Sequence, residues 1–516
     1  MKKTATAVAA ALLTALLVFS LSGCGQNTKT ANDGNTLIYA SNDYTRINPA
    51  LDEHGEINLL IFNGLTAHNA DNEIVPCLAT DWSFDDNSNT YTFNLRNDVK
   101  WQDGEKFTAA DVKFTIKAIM NPDNESEIAS NYEDVESITT DGDYKISFKL
   151  KAPNAAFTEY MSIGILPQHL LEGKDMQTDE YFKKPIGTGP YKIESWEEGQ
   201  AITLKANDDY FDGKPNIETV IFKIVPDDSA KALQLKSGEV NFAHLTPKDA
   251  NDFRSNDNYD VYTMQTSDYR GIMYNFNNDY WKTNKDIIPA INYGIDRQAI
   301  VDSVLLGEGI TAYGPLQRNI FNFSEVNHYD YDPAKAEEIL QGLGCEKHDD
   351  GFYYRNGQKL GFTLNVMEGD QVRKDIAQAC SQQLAAIGID VKVEVPAQVD
   401  WDNQEAFLIG WGSPFDADDH TYKVFGTDKG SNYSAYSNEK VDEHLQKARE
   451  TDNTDERAHY YQLFQEELAD DPAFTFICYI DADYVGASNI HGITTQTILG
   501  HHGVGIFWNL KDWTID

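Results

Sequence analysis

The amino-acid sequence predicts an α/β protein made of several lobes. The chain has 516 residues, and at roughly 100–200 residues per domain this length corresponds to about two to four domains or lobes. Apolar residues make up 41% of the chain and charged residues 24%, so there are enough apolar side chains for a folded core. From Gly271 onward helical and strand patterns alternate, which is typical of βαβ units on a sheet with parallel strands.

Strand patterns dominate the first half of the chain. Tyr91, Phe93 and Leu95 alternate with polar residues as in a half-buried strand, and Thr108 is a suitable N-cap for the helix that follows. The elements predicted here are a strand over 37–42, a helix over 56–65, strands over 90–95 and 99–101, a helix from Thr108 to 119, and strands over 143–151, 189–196, 202–204 and 219–225.

The second half of the chain alternates helices with strands. The elements predicted here are a strand over 271–276, helices over 285–306 and 333–343, a strand over 362–367, a helix over 371–387, a strand over 389–395, helices over 438–450 and 454–469, and strands with turns over 473–516. Because a helix separates consecutive strands, these strands can run parallel in one sheet.

The charge balance excludes two classes of function. The chain carries 42 basic and 82 acidic side chains, a formal net charge of −40. A nucleic acid or an anionic lipid surface requires a basic face, so we expect no nucleic-acid partner and no electrostatic docking onto lipid.

The first 24 residues are typical of an export signal. Lys2 and Lys3 precede an almost wholly apolar stretch that ends at Phe19 and is too short for a membrane span. The following Leu21-Ser-Gly-Cys24 resembles a bacterial lipoprotein box, in which the peptide is cut before the cysteine and the thiol is lipidated.

We therefore expect a lipoprotein signal peptide over 1–23, a lipid on Cys24 and a flexible tether over 24–35. This arrangement predicts a folded body held by its lipid at the extracytoplasmic face of a bacterial membrane.

Motifs for catalysis and for metal binding are missing from the sequence. No G-x-S-x-G, P-loop or H-E-x-x-H motif occurs, so we expect a protein that is not an enzyme and has no cofactor. The four remaining cysteines have no metal-site spacing, and their disulfide state stays open. The adjacent pair His501-His502 is a weak candidate for a metal site. The cysteines are Cys77, Cys345, Cys380 and Cys478.

Short phrases spread over nearly the whole mature chain follow one another in a fixed order. They include Phe62-Asn-Gly-Leu65, Ile74-Val-Pro-Cys-Leu-Ala-Thr-Asp-Trp82, Tyr91-Thr-Phe-Asn-Leu-Arg96, Pro185-Ile-Gly-Thr-Gly-Pro-Tyr191, Asp209-Tyr-Phe211 and Ala290-Ile-Asn-Tyr-Gly-Ile-Asp-Arg297. In these phrases the chain resembles the family 5 extracellular solute-binding proteins of ABC importers, which carry oligopeptides, dipeptides or nickel chelates.

The resemblance implies a two-lobed, periplasmic-binding-protein-like fold of type II with an inserted third subdomain. It divides the chain into a discontinuous lobe I (36–66, 184–268 and 486–516), an inserted subdomain (67–183) and lobe III (269–485). It also implies a function. The protein is expected to be a monomeric, lipid-anchored receptor that captures its ligand in an inter-lobe cleft and delivers it to ABC permease subunits in the membrane.

The most informative phrase for the ligand is Gly410-Trp-Gly-Ser-Pro-Phe-Asp416, which follows an apolar run and so ends a strand at the cleft. In peptide-binding relatives an aspartate shortly after the matching Gly-Trp pairs with the peptide α-ammonium. Pro414 stands at that place here, so Asp416 is the nearest substitute. In nickel-type relatives the residues that match Trp411 and Phe415 line the chelate pocket. For the arginines that those relatives place in the inserted subdomain only Lys117 offers a match, and their metal-ligating histidine has no match, although His420 lies near its place.

The candidate ligand-binding residues come from the cleft phrase and from the ends of three other elements. They are Trp411, Gly412, Ser413, Phe415, Asp416, Arg270, Tyr274, Tyr39, Asn42 and Trp508, with His420 as a weak metal-binding alternative.

Three other functions remain as alternatives to an importer receptor for short peptides. The first is a receptor for a nickel or other metal chelate. The second is a surface lipoprotein that acts as a sensor or adhesin rather than in transport, and the third is an extracytoplasmic hydrolase on the same scaffold. The abundance of peptide receptors favours the peptide.

Overall fold

The computed structural model describes residues 35–52, 55–501 and 505–516. The expected signal peptide, the lipid-bearing Cys24, the tether up to Gly34 and His502 lie outside these ranges. Among the helices within them, none combines the length and the apolar character needed to cross a bilayer.

Strands occur along the whole described chain. They are β1 (Thr36–Ser41), β2 (Thr66–His68), β3 (Ile74–Pro76), β4 (Ala79–Asp85), β5 (Thr90–Leu95), β6 (Val135–Thr140), β7 (Lys145–Leu150), β8 (Tyr191–Glu197), β9 (Ala201–Ala206), β10 (Thr219–Ile224), β11 (Phe242–Leu245), β12 (Tyr259–Tyr274), β13 (Gly309–Thr311), β14 (Glu346–Lys347), β15 (Tyr353–Arg355), β16 (Gln358–Lys359), β17 (Gly361–Asn365), β18 (Asp390–Glu394), β19 (Ala406–Trp411), β20 (Phe474–Ala487), β21 (Ile490–His491) and β22 (Thr514–Ile515).

The two longest helices described, of 16 and 17 residues, lie in the second half of the chain. The helices are α1 (Asn58–Ile61), α2 (Ala109–Met120), α3 (Phe157–Tyr160), α4 (Gln168–Leu171), α5 (Asp228–Ser237), α6 (Pro247–Asn251), α7 (Asp279–Asn284), α8 (Ile288–Tyr293), α9 (Arg297–Ser303), α10 (Pro333–Gly342), α11 (Gln371–Ala386), α12 (Asp419–Phe425), α13 (Glu439–Glu450) and α14 (Thr454–Asp470).

One large mixed sheet joins the two ends of the molecule. Its strands follow the order β18-β17-β19-β12-β20-β11-β1-β10-β9-β8, and β13 adds to β20. The long strands β12 and β20 pair antiparallel through the centre, with a register shift between Gln265 and Tyr269. A second register shift follows between Arg270 and Gly271.

The predicted βαβ arrangement is confirmed in lobe III. Strands β17 and β18 run parallel and are connected through α11, and β17 is also parallel to β19. Strand β19 lies next to β12 and is buried along its whole length. Parallel strands covered by helices are normally buried on both faces, which explains the unbroken apolar run Ala406–Ile409.

The inserted subdomain contains a four-stranded antiparallel sheet, β4-β5-β7-β6, against which α2 packs. The predicted cap is confirmed, because the Thr108 hydroxyl accepts from the amide of Ala110 and Asp111 bonds back to the Thr108 amide at 2.8 Å. This reciprocal arrangement satisfies amides at the helix start that would otherwise lack partners.

The apolar cores show which parts of the chain form one body. Leu37 and Phe222 of lobe I belong to the same buried cluster as Phe93 and Phe148 of the inserted subdomain. Lobe III has separate clusters that reach from Tyr269 to Tyr479.

Ala482 and Tyr484 were assigned to lobe III from the sequence, but they pack with lobe I. Strand β20 therefore contributes to apolar clusters of both lobes.

Three predicted elements differ from the structure. The helix predicted over 56–65 is limited to α1, because the chain becomes extended at Phe62. The helix predicted over 285–306 is broken after Gly294, where the Asp296 side chain accepts from the Ala299 amide and caps a new helix. The strand predicted over 99–101 makes only one isolated bridge, from Lys100 to Lys106.

Glu308, next to β13, and Asp483, on β20, form a partly buried acidic pair. Arg254 Nη2 contacts Glu308 Oε1, and it also donates to Asp483 Oδ1 at 3.1 Å. The other oxygens, Glu308 Oε2 and Asp483 Oδ2, are buried without a hydrogen-bond partner among the described residues. Two carboxylates therefore face a single guanidinium, while the nearby Asp481 pairs with Arg318 at 2.6 Å. Burial and the adjacent Asp483 raise the pKa of Glu308 from 4.5 to about 8.

This raised pKa predicts a pH-dependent stability. The folded protein retains a proton on Glu308 that the unfolded chain releases near pH 4.5, so this contribution to stability is lost as the pH rises to about 8. Glu308→Gln imitates the protonated carboxyl. We expect it to leave the melting temperature unchanged at pH 5 and to raise it by roughly 1–3 °C at pH 9. The control is Glu346→Gln on the exposed strand β14, and equal melting profiles of Glu308→Gln and the wild type would contradict this account.

Candidate ligand-binding site

A cleft between lobe I, the inserted subdomain and lobe III contains a cavity of about 520 Å³. This volume is in the usual range for small-ligand sites. Three groups of residues form its wall: residues of lobe I and the inserted subdomain between Pro49 and Asp212, the 412–420 turn that follows β19, and the C-terminal segment between Thr497 and Lys511.

Two glycines lie where β19 leads into the 412–420 turn, and the close approach of the neighbouring strand β12 requires both. A side chain at Gly410 would overlap the guanidinium of Arg270, and a side chain at Gly412 would overlap the carbonyl oxygen of Ser267. Gly412 also has a φ of +147°, a conformation that favours glycine. The Gly-Trp-Gly sequence therefore lets β19 approach β12 closely and directs the turn into the cleft.

Trp411 lies directly behind the cavity wall. Its ring is 7% exposed and stacks on His501 at 5.5 Å and on Tyr433 at 6.4 Å between centroids. The His420 ring contacts it edge-on at 5.2 Å. Trp411 thus orients two histidines of the wall. The sequence predicted that Trp411 itself would line the pocket, but it lies behind the wall.

Two histidine rings of the wall lie 6.4 Å apart, and their nitrogens have different partners. The Gly412 amide donates to His420 Nδ1 at 3.1 Å, so a neutral His420 carries its proton on Nε2. His501 Nδ1 lies 2.9 Å from Asp268 Oδ1, and a carboxylate at that nitrogen favours the Nδ1–H tautomer. Among the described residues no group of three or more His, Cys, Asp or Glu could hold a metal ion.

A third histidine, His68 of the inserted subdomain, also lies on the cavity wall. The His68 ring stacks on Phe415 at 3.6 Å between centroids, with 12° between the ring planes. His68 Nε2 contacts Glu159, and burial raises the pKa of that carboxyl. Phe415 therefore lies on the cavity wall, as predicted, but one face of its ring is covered by His68.

The structure revises the role predicted for Asp416. Its two oxygens accept from Arg457 Nη1 and Nη2 at 2.7 and 2.6 Å, and it does not line the cavity. A bidentate pair of this kind already neutralises the carboxylate, so Asp416 lacks the free charge that an ammonium group would need.

The acidic side chains on the described cavity wall also pair with basic groups. The pairs are Asp52 with Arg46, Glu159 with His68, Asp212 with Lys511, and Asp419 with Lys423.

The other predicted residues divide into two groups. Ser413 and Trp508 line the cavity together with Gly412. The remaining residues do not line it: Arg270 is buried against Asp268, Tyr274 bonds to Thr475 at 2.6 Å, Tyr39 packs behind Phe507, Asn42 is exposed beyond β1, and Lys117 is exposed on α2. A position near a strand end did not predict contact with the cavity, because large side chains such as Tyr39 and Tyr274 fill the apolar cores instead.

Several wall residues were missed although the quoted phrases contain them. Asn63, Tyr210 and Arg96 line the cavity, and Asn63 Nδ2 donates to the Tyr210 hydroxyl at 3.2 Å. They belong to the phrases 62–65, 209–211 and 91–96. The order of these phrases indicates a family, whereas their convergence on one cavity has no local signal in the sequence. Arg96 is neutralised by Asp98 at 2.8 Å.

Comparison with known proteins identifies the family. The model of the bacterial extracellular solute-binding proteins, family 5, matches residues 73–433. The chain belongs to this family. The α/β, two-lobed type II fold expected from the resemblance is thereby confirmed, and the family places the protein outside the cytoplasm.

Family 5 relatives align over most of the chain. The oligopeptide-binding protein AppA of Bacillus subtilis is 33% identical over 445 residues, which are 82% of this chain and 80% of AppA. The structure of NikZ from Campylobacter jejuni in complex with Ni(L-His) has a TM-score of 0.88 and 36% identity, and the match covers 93% of this chain and 99% of NikZ. The structure of B. subtilis AppA with a nonapeptide has a TM-score of 0.84 and 29% identity, and the match covers 94% and 99% of the two chains.

The close approach of β19 to β12 can be tested by adding one methyl group. Gly412→Ala is expected to lower the melting temperature by roughly 5 °C or more, because it combines a positive φ with an overlap against backbone. Gly430→Ala is the control, since a side chain there meets open space in the same lobe. Differential scanning calorimetry of the two variants measures the difference, and equal melting temperatures would contradict the packing described.

Proposed function

We propose that this protein is the lipid-anchored receptor of an ABC importer and that its cargo is a compact nickel chelate of the nickel–histidine type. The lipid is on Cys24, and the receptor delivers its cargo to permease subunits. The observation that carries the proposal is the histidine wall: His420 and His501 lie 6.4 Å apart on one side of the cavity, beside Trp411.

The partner of His501 supports a role in metal binding. A carboxylate that holds one imidazole nitrogen is the usual support of a histidine whose second nitrogen binds a metal. The Asp268 carboxylate is 0% exposed and provides this support. His420 has the opposite tautomer, because its Nδ1 accepts from a backbone amide. Its Nε2 lies 3.8 Å from Oδ2 of Asp419, another residue of the cavity wall.

A chelated metal requires few protein ligands, because the chelator supplies the others. Two histidines on one side of the cavity can therefore contribute the remaining contacts. The NikZ structure, which is 36% identical, contains Ni(L-His), a cargo of this size and chemistry.

A short peptide is the second candidate, and the similarity to AppA favours it. The α-ammonium of a desolvated peptide requires an unpaired carboxylate. Pro414 stands at the predicted anchor position, Asp416 pairs with Arg457, and the described wall acids have basic partners. These pairs shift the preference from the peptide, which the sequence alone favoured, to the chelate.

The separate cores support capture by closure. Lobe I and the inserted subdomain share one apolar cluster, whereas lobe III has its own clusters, so the cleft lies between two bodies joined by β12 and β20. Rotation about these strands would open and close the cavity around its cargo.

Native mass spectrometry of residues 25–516 tests the cargo. We expect an adduct whose mass equals that of nickel plus histidine when both are added, and weaker retention of either alone. His501→Ala should weaken binding about tenfold or more, because it removes the histidine that Asp268 supports. The control is His491→Ala, since His491 is half exposed, pairs with Asp516 and does not line the cavity.

Other masses would lead to different conclusions. A ladder of peptide masses from the purified protein, together with no nickel–histidine adduct, would contradict the chelate and support the peptide. Equal binding by the His501→Ala and His491→Ala variants would contradict the role of the histidine wall.

A further inference from the structure

A buried polar contact connects the inserted subdomain with lobe III beside the cavity. Asp418 and Arg449 of lobe III form an ion pair at 2.6 Å, and the side chains of both are 1% exposed. The Tyr160 hydroxyl of the inserted subdomain donates to Asp418 Oδ2, and Asp134 accepts from Arg449 Nη1 at 3.3 Å. The Ala155 amide also donates to the Arg449 carbonyl at 2.9 Å.

The contact is complementary in charge. Glu133 of the inserted subdomain pairs with Lys429 of lobe III at 2.7 Å and accepts from the Tyr422 hydroxyl at 3.0 Å. The Arg449 guanidinium lies 3.4 Å from the centroid of the same Tyr422 ring. Acids of one body thus meet bases of the other, whereas apolar clusters hold each body together.

Asp418 is also the residue that starts the helix carrying His420. Its carboxylate makes no side-chain cap hydrogen bond, because both oxygens are directed to Arg449 and one of them also to Tyr160. The first turn of α12 is irregular, with His420 at φ −108° and ψ 19°. The position of this turn therefore depends on groups outside the helix.

We propose that Tyr160 and Asp134 are positioning residues for the ligand site. When the lobes are closed, they dock on the Asp418–Arg449 pair, and this docking fixes the 412–420 turn with His420 against the cavity. When the lobes separate, Asp418 and Arg449 remain together in lobe III, but the turn loses its two partners from the inserted subdomain. The part that concerns His420 and the cargo rests on the proposed function, whereas the docking itself does not.

Three variants separate positioning from general stability. Tyr160→Phe removes the hydroxyl and keeps the ring, and Asp134→Asn removes the charge and keeps the shape. Asp141→Asn is the matched control in the same subdomain, because the Asp141 side chain is 85% exposed and its carboxylate lies 3.8 Å from Lys145 Nζ. All three are made in the chain from residue 25 to 516.

The first readout is hydrogen exchange with and without nickel and histidine. The Ala155 amide reports the docking, because its acceptor belongs to the other body. In Tyr160→Phe and Asp134→Asn we expect faster exchange at Ala155 and over residues 412–422, with wild-type exchange in Asp141→Asn. Unchanged exchange at Ala155 in both variants, or an unprotected Ala155 in the wild type, would overturn the docking.

The second readout is the kinetics of nickel–histidine binding by stopped flow. We expect dissociation to accelerate by about fivefold in the two variants, with association within about twofold, because the contact forms after encounter. Faster exchange with unchanged dissociation would overturn the positioning of the ligand site. A wild type that binds no nickel–histidine would overturn the cargo, and the exchange data alone would then support or overturn the docking.

Discussion

The Asp268 carboxylate lies fully buried at the centre of β12, and a buried charge is tolerated only when it is paired. Arg270 from the same strand and His501 from the C-terminal segment provide the partners. The Arg270 guanidinium in turn fills the space over Gly410, so a side chain at that position would overlap it where β19 passes β12. The pairing of one carboxylate thus sets the course of β19, the start of the cavity wall and the orientation of a wall histidine.

The distribution of apolar and polar contacts explains how such a molecule can enclose a ligand. Apolar clusters make lobe I and the inserted subdomain one body and lobe III another, while ion pairs such as Glu133–Lys429 connect the two bodies across the cleft. Polar contacts can exchange with water at modest free-energy cost, whereas separated apolar cores would expose area that is costly to hydrate. The two bodies can therefore separate without unfolding.

Local signals in the sequence predicted much of the fold. Thr108 with Asp111 marked a helix start, and the alternation after Gly271 indicated parallel strands around α11. The Gly-Trp-Gly phrase indicated the place of the cleft, because it ends a strand, and its glycines leave room for the neighbouring strand β12. The partners in the site could not be predicted in the same way: Asp416 pairs with Arg457 and Phe415 with His68 across long stretches of chain. The break after Gly294 was missed because the apolar spacing continues across it.

The central claim is that the histidine wall beside Trp411 holds a chelated metal. A crystal structure grown with nickel and histidine, with diffraction data on both sides of the nickel absorption edge, tests it most directly. The account predicts one strong anomalous peak inside the cavity, within bonding distance of His501, with density for a chelator between the peak and His420. Continuous peptide density in the cavity, or an anomalous peak only at the protein surface, would contradict it.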